Sequence, residues 1–243
     1  SDVFDRQVDD LLVIQNELAY AILGALKLPG AHIVAVPDDP ETHLLVVQAR
    51  HFWRRYSVAD AERSCVLYER ALARSPRCAR AWAGLSASLN FLAHRGSDSL
   101  SNATRARDAV EKAIEINPDL AEAHAVNALL LGFNDRNWTD AERSLRRAVE
   151  LAPCDAGTLQ AAAVCLMPIG KFQDSLAFLR RAAELDPLAC TIQMDMGILF
   201  RLQGRSEEAI AQCRVALDLD PNHREAEWQL GLALQQARRF AEA

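Results

Sequence analysis

Five prolines, each closing a helical and mostly acidic run, divide the chain at nearly constant intervals: RALARSP ends at Pro76, KAIEINP at Pro118, RAVELAP at Pro153, RAAELDP at Pro187 and VALDLDP at Pro221. Their separations are 42, 35, 34 and 34 residues. A fixed period of this length marks a stacked repeat, in which no unit buries its own apolar face and each must be covered by its neighbours. Composition selects helices for those units. Ten Gly and nine Pro in 243 residues are too few for a loop-rich β-sandwich, and aromatics at 6% leave the core to Ala and Leu.

With each proline set at repeat position 32, small residues fall at positions 8, 20 and 27. They are Ala128, Ala141 and Ala148 in the third repeat, Ala163, Ser175 and Ala182 in the fourth, and Gly197, Ala209 and Ala216 in the fifth. At these positions the two helices of a unit approach too closely for larger side chains. Position 24 takes Tyr68, Leu145 and Leu179, with Val110 and Cys213 as smaller versions. Over roughly residues 42–243 this pattern resembles the tetratricopeptide repeat family. The resemblance implies an all-α fold, a right-handed α-solenoid of about five and a half helix–turn–helix repeats preceded by one N-terminal helix. The expected boundaries are 42–76, 77–118, 119–153, 154–187, 188–221 and a partial unit over 222–243, in which Gly231 takes position 8. A half repeat at the end reads as a capping helix or as part of a longer protein, and the second reading is favoured.

The departures from the period predict local structure. The second repeat holds eight extra residues between Leu89 and Ala106, where HRGSDSLSNAT predicts a long inter-helix loop. The third has one extra residue near DRNWTDAE; Asn137 or Thr139 is expected to cap the next helix, with Glu142 completing a capping box to Thr139. In the first, Ala49 at position 8 leaves three extra residues before Ser64 at position 20. Pro168 should shorten or kink its helix. Asn127, at an apolar position, reads as a hydrogen-bonded core residue, and Trp138 as a packing residue.

Residues 1–40 carry two basic against seven acidic residues, so five of the six net negative charges lie there. Val8, Leu11, Leu12, Ile14, Gln15, Leu18, Ile22 and Leu26 fall near one helical stripe. Phe4-Asp5-Arg6, Asp9-Asp10, Ile14-Gln15 and Ala25-Leu26, together with NDRNWTDAERSLRRAVELAP in the third repeat, resemble the junction of a bacterial regulator family. In that family an α/β TolB-amino-terminal-like domain runs into tetratricopeptide repeats. The resemblance implies that residues 1–40 are a helix and linker left from an upstream α/β domain, followed by the solenoid over 41–243. It also implies an output domain further upstream, either a winged helix of the ToxR, CadC and invasion-regulator type or a class III adenylate cyclase. The expected function is the peptide-binding sensory or assembly region of a cytoplasmic bacterial transcriptional regulator. A cyclase regulatory region and a stand-alone scaffold are the alternatives.

Chemistry is not signalled. The six histidines show no HExxH and no i,i+4 pair, the six cysteines form no CxxC, and there is no phosphate-binding glycine loop and no GxSxG. No catalytic, cofactor or metal site is expected, and the cysteines are expected to be reduced thiols. A net charge of −6 gives nucleic acid no large cationic surface, and no apolar run is long enough to cross a membrane.

What the family resemblance implies instead is a concave groove lined by positions 2, 5, 9, 12 and 13 of each first helix. Asn90, Phe91, Leu129, Phe133, Gln160, Met167, Met194, Ile198, Arg201 and Trp228 are its candidate residues, with Arg80 and Glu225 at position 2 of their repeats. His43, Trp53 and Arg54 would form a more polar, basic mouth. Most of the groove is apolar, and the Lys/Asn/Arg set that clamps a peptide carboxylate in some relatives is missing. The expected partner is a protein or peptide segment. The chain's own N-terminal helix is an alternative occupant, and contacts with the upstream domain or with a second copy are the other associations expected.

Overall fold

The computed structural model describes residues 39–96 and 98–240; the acidic N-terminal stretch, with its regulator-like motif and expected helix, lies outside the described residues up to Pro37-Asp38. Among the described residues there are eleven α-helices and no strand. They pair in chain order. Helices α1 (Pro40–Trp53) and α2 (Val58–Arg74) form the first hairpin, α3 (Ala79–Arg95) and α4 (Ser99–Ile116) the second, and α5 (Ala121–Leu129) and α6 (Trp138–Leu151) the third. Helices α7 (Ala156–Leu166) and α8 (Phe172–Leu185) form the fourth, and α9 (Cys190–Leu202) and α10 (Ser206–Leu219) the fifth. Helix α11 (Arg224–Gln236) packs on α10 and α9. The first helix of each hairpin also touches the first helix of the next, which stacks the units into a TPR-like α-solenoid.

The contact that sets the spacing of each hairpin lies where position 8 meets position 20. Ser64 Oγ donates to the Ala49 carbonyl at 2.9 Å, and Ser175 Oγ donates to the Ala163 carbonyl at 2.9 Å. In the second hairpin the roles reverse, and Ser86 Oγ donates to the Ala106 carbonyl at 2.7 Å. All six residues are fully buried. A hydroxyl buried here keeps its hydrogen bond by reaching the neighbouring backbone, which is possible only because the residue opposite is Ala. In the fifth hairpin the pair is Gly197 and Ala209: a Cβ added at Gly197 would lie 2.6 Å from Cys213 Sγ and 3.3 Å from the Ala209 carbonyl oxygen. Position 24 fills the space beside each contact. Tyr68, Val110, Leu179 and Cys213 are all at most 1% exposed, and Leu145 is nearly so.

The extra residues are absorbed in four ways. The eight in the second repeat do not form the expected long loop. They lengthen α3 and α4 to 17 and 18 residues, and the chain turns between Arg95 and Ser99, where Ser99 Oγ donates to the Ala93 carbonyl at 2.6 Å. Of the polar letters that suggested a loop, His94, Ser99, Ser101 and Thr104 sit on exposed faces of the added turns, where Ser and Thr are tolerated in a helix. The single extra residue of the third repeat widens the end of α5 into a π-turn over Leu130–Asn134, the usual way a helix takes up one residue. Asn137 caps α6: its Oδ1 accepts from Asp140 N–H and its amide donates to the Asp140 carboxylate. The capping box from Thr139 to Glu142 does not form, because Asn137 is the cap and Thr139 already lies inside α6; Glu142 instead pairs with Lys171 at 2.7 Å. The three extra residues of the first repeat make the turn between α1 and α2, with Tyr56 at φ +52°. As expected from Pro168, α7 ends at Leu166 and continues as a 3-10 turn over Met167–Ile169.

Asn127 donates to Ser144 Oγ at 3.0 Å, and Trp138 packs edge-on against Phe133 with ring centroids 5.8 Å apart. Pro76, Pro118, Pro153, Pro187 and Pro221 each lie in the turn that leads to the next hairpin. Ala128 and Ala163 are fully buried, and a Cβ on Gly231 would meet no neighbour.

Replacing Gly197 with Val should force the α9–α10 hairpin apart and cost about 1–3 kcal/mol, whereas Gly231→Ala, in open space, should be neutral or slightly stabilising. Thermal unfolding followed by circular dichroism measures both.

Candidate functional site

One large cavity, of about 1800 Å³, runs along the inner side of the solenoid. It is lined by the last turns of α1, the turn carrying Tyr56, the connections between hairpins, and the first two or three turns of α3, α5 and α7 with the start of α9. Positions 2, 5 and 9 of the third and fourth repeats all contribute: Glu122, Ala125 and Leu129, then Gly157, Gln160 and Val164. Positions 12 and 13 of repeats two to six do not.

The reason is closure of the superhelix. Tyr56 stands against Trp53 (centroids 5.5 Å), Phe91 (5.8 Å) and His223 (6.0 Å), so the first hairpin meets the last helix. Phe91 also meets Trp53 edge-on at 5.7 Å. One turn beyond Phe91, Arg95 donates to Glu225 at 2.7 Å, bridging 130 residues of sequence. Arg95 stands on the helical turn that the eight extra residues supplied. The ends of the first helices are thereby packed together at one mouth of the ring, and the cavity remains along their beginnings.

A buried polar network lies behind this closure. Asp195, 5% exposed, accepts a 2.7 Å hydrogen bond from Gln160 Nε2, and Gln160 Oε1 faces the Thr191 hydroxyl at 3.5 Å. Burial pushes the Asp195 carboxyl up to about 7; the Gln160 hydrogen bond opposes this and the Glu225 charge adds to it. Burial also raises the Tyr56 phenol, with Asp195 and Glu225 contributing. For Glu225, burial works upward, but Arg95 and the 2.9 Å bond from Gln229 outweigh it and hold the group below its ordinary value. His223 accepts from Ala226 N–H through Nδ1, and its buried Nε2 has no partner.

Of the residues that sequence reasoning placed in the groove, Trp53, Arg54, Leu129 and Gln160 line the cavity. Asn90 and Phe91 sit at the closure, where the Asn134 amide donates to Asn90 Oδ1 at 3.1 Å. His43 lies on α1 near Arg80; burial, then the Arg80 charge, lower its pKa. Phe133 packs on Trp138, Met167 and Met194 are buried in the core, and Ile198 packs beside Met194. Arg201 has a buried Nε without a partner, and Trp228 is 63% exposed and stands off the cavity. The cavity wall is accordingly more charged than the apolar groove expected from the repeat positions. Tyr56, Arg50, Arg77 and Asp195 were not singled out by sequence. Asp195 did leave a signal, since it occupies position 6, where the other repeats hold Gly84, Val126 and Ala161.

Burial pushes the thiols of Cys65 and Cys165 up to about 12 and that of Cys213 up to about 11, and all six cysteines are free. Among the described residues no group of three His, Cys, Asp or Glu side chains is placed to hold a metal ion, and no helix is long and apolar enough to cross a membrane.

The tetratricopeptide repeat family matches at residues 166–224 and 194–243, over the hairpins that follow Pro153 most regularly. Over residues 166–243 the chain carries tetratricopeptide repeats. No curated protein matches it in sequence. Solved structures share the fold. TTC0263, a thermophilic TPR protein of Thermus thermophilus, is 19% identical and superposes with a TM-score of 0.62 over 79% of this chain and 99% of its own. Pseudomonas aeruginosa PilF gives 21%, 0.54, 70% and 72%. A human IFIT1 dimer with m7Gppp-AAAA gives 17% and 0.68 over 91% of this chain and 52% of its own, so the present chain spans about half of that protein. At such identities the likeness concerns the tetratricopeptide fold alone.

Two outcomes are expected. Because the folded-state pKa of Asp195 lies above that of an unfolded aspartate, folding takes up a proton, and stability should fall as pH rises from about 4 to about 7 and level off above. Asp195→Asn, which still accepts from Gln160, should flatten that slope and raise the melting temperature at pH 8; an unchanged pH profile of Tm would contradict the buried carboxyl. Removing the clasp with Tyr56→Ala and Arg95→Ala should enlarge the radius of gyration in small-angle scattering while helical circular dichroism stays constant.

Proposed function

We propose that this tetratricopeptide-repeat protein captures a polypeptide segment in the cavity enclosed by its first helices. The observation that carries this reading is the cavity itself. At about 1800 Å³ it exceeds the few hundred to roughly 1,000 Å³ typical of small-molecule sites. Its floor of Ala87, Ala125, Leu129 and Val164 offers apolar contact, and its rim is polar and charged. Such a surface suits side chains projecting from a helix or an extended strand. The clasp shuts one mouth, so a segment enters along the beginnings of α3, α5 and α7.

The wider role we infer is the sensory or assembly region of a bacterial transcriptional regulator. It rests on the resemblance at Phe4-Asp5-Arg6, Asp9-Asp10, Ile14-Gln15 and Ala25-Leu26. The same residues suit the regulatory region of a class III adenylate cyclase. The coding sequence ahead of Ser1 decides: a winged helix there supports the regulator, a cyclase domain replaces it, and neither leaves a scaffold.

For the cavity, peptides selected on the full chain from a displayed random library should crosslink to a photoreactive residue placed at Ala161, inside the lining, and not to one placed at Trp228. Crosslinking at Trp228 alone would put recognition on the outer surface and defeat the proposal.

A further inference from the structure

The charges around the cavity are sorted. Arg50 and Arg54 at the end of α1, Arg77 in the α2–α3 turn and Arg80 in the first turn of α3 lie on one part of the lining, beside Asp39, which Arg74 holds, whereas Asp119, Glu122, Asp155, Asp186 and Asp220 belong to later helices and connections. Several surface arginines elsewhere are paired: Arg74 with Asp39 and Glu41, Arg105 with Glu69, Arg107 with Asp135, and Arg147 with Asp119. Among the described residues, the four cavity arginines have no carboxylate within ion-pair distance. The acids across the cavity are largely engaged. Asp119 holds Arg147, Asp155 accepts from Thr158 N–H at 2.7 Å as the cap of α7, and Asp220 accepts from Asn222 N–H at 3.1 Å. No carboxylate is in ion-pair contact with the wall, although Glu122 and Asp155 act on Arg80 through space.

Arg80 is the deepest of the four. Its Nε is buried with no acceptor, an arrangement that costs free energy until an anion supplies one. Burial and the neighbouring Arg50 charge push its guanidinium in the same direction, against the pull of Glu122. Three helices that begin on this cavity, α3, α5 and α9, have no side-chain cap, so their first N–H groups add positive potential to the same space. Beside the wall lies the apolar floor of Ala87, Ala125 and Leu129.

We propose that the wall of Arg50, Arg54, Arg77 and Arg80 receives the side-chain carboxylates of an acidic polypeptide segment whose apolar residues rest on the alanine-rich floor. The proposal deepens the peptide-binding reading and rests on it. Charge complementarity selects the partner: several guanidiniums spread over two elements match carboxylates spaced along a chain better than one terminal carboxylate. Glu122, Asp155 and Asp186, which line the same cavity, disfavour a nucleic-acid strand, which would carry phosphates across all of it.

The test uses the full chain and three fluorescein-labelled, C-terminally amidated dodecapeptides that share a leucine pattern and carry Glu, Gln or Lys at the polar positions. Anisotropy titrations at low and physiological salt are made with the unaltered chain, an Arg50→Gln/Arg80→Gln variant and an Arg54→Gln/Arg77→Gln variant. Arg54 and Arg77 are exposed, so that variant keeps the test valid if the first fails to fold. Arg143→Gln, on the exposed face of α6, is the control. The Glu peptide should bind most tightly, weaken with salt, and lose about tenfold or more in affinity in each double variant but not in the control.

Glu and Gln peptides binding alike, or Glu binding untouched by both double variants, would overturn the arginine wall and leave peptide capture standing. Failure of all three peptides to bind would overturn both. Binding that emerges only after Asp5, Asp9 and Asp10 are changed to Asn would assign the wall to the chain's own acidic N-terminal stretch and overturn a separate partner. A 5′-triphosphorylated oligoadenylate that binds more tightly than the Glu peptide, and weakens in the same variants, would assign it to nucleic acid and overturn the proposal.

Discussion

Where Ser64 donates to the Ala49 carbonyl, Ser175 to that of Ala163 and Ser86 to that of Ala106, two helices stand closer than ordinary side chains permit. That close approach makes each hairpin a narrow wedge, and wedges stacked in one direction curve. The curvature produces an inner surface and, after five hairpins, brings the turn between α1 and α2 against the start of α11. A larger residue at these positions would open the wedge and alter the path of everything stacked after it. Specificity here comes from the absence of side-chain volume, and the backbone carbonyls opposite satisfy the hydroxyls that replace it.

Closure depends on residues that lie outside the repeat pattern. Tyr56 belongs to the three-residue excess of the first repeat, and Arg95 to the eight-residue excess of the second. Both reach α11 or its cap. Each is an addition to a regular unit, and together they turn an open curve into a ring with one end filled by aromatic and carboxylate side chains. The exposed arginine of the Arg95–Glu225 pair would count for little in water, but Glu225 is largely enclosed, and losing its partner would leave a buried charge. The cavity is thus shaped by the clasp as much as by the repeats.

Much of this was readable. The proline period, the small residues at 8, 20 and 27, Pro168 as a helix stop and Asn137 as a cap all follow from local sterics, which a sequence displays directly. HRGSDSLSNAT misled because polar residues suit both loops and exposed helix faces, and only the packing of α3 on α4 selects the helix. The π-turn at Leu130–Asn134 is a similar case: one extra residue shows in the count, but the helix absorbs it without any signature letter. At the site, Trp53, Arg54, Leu129 and Gln160 lie on the cavity lining, while Met167 and Met194 went to the core, since helix-face arithmetic treats the solenoid as open.

The sequence by itself determined the repeat unit, its register and its all-helical character, because these rest on short-range sterics and on periodic burial. Tertiary structure alone decided which inner-face residues meet solvent, that Asp195 and Glu225 share one enclosed region with Tyr56, and that four arginines are left without counter-ions on a common wall. Those facts depend on superhelical closure between residues more than one hundred positions apart. A single sequence carries no periodic trace of such distant juxtapositions, since charge pairing and burial across the ring are set by where the accumulated curvature brings the ends together.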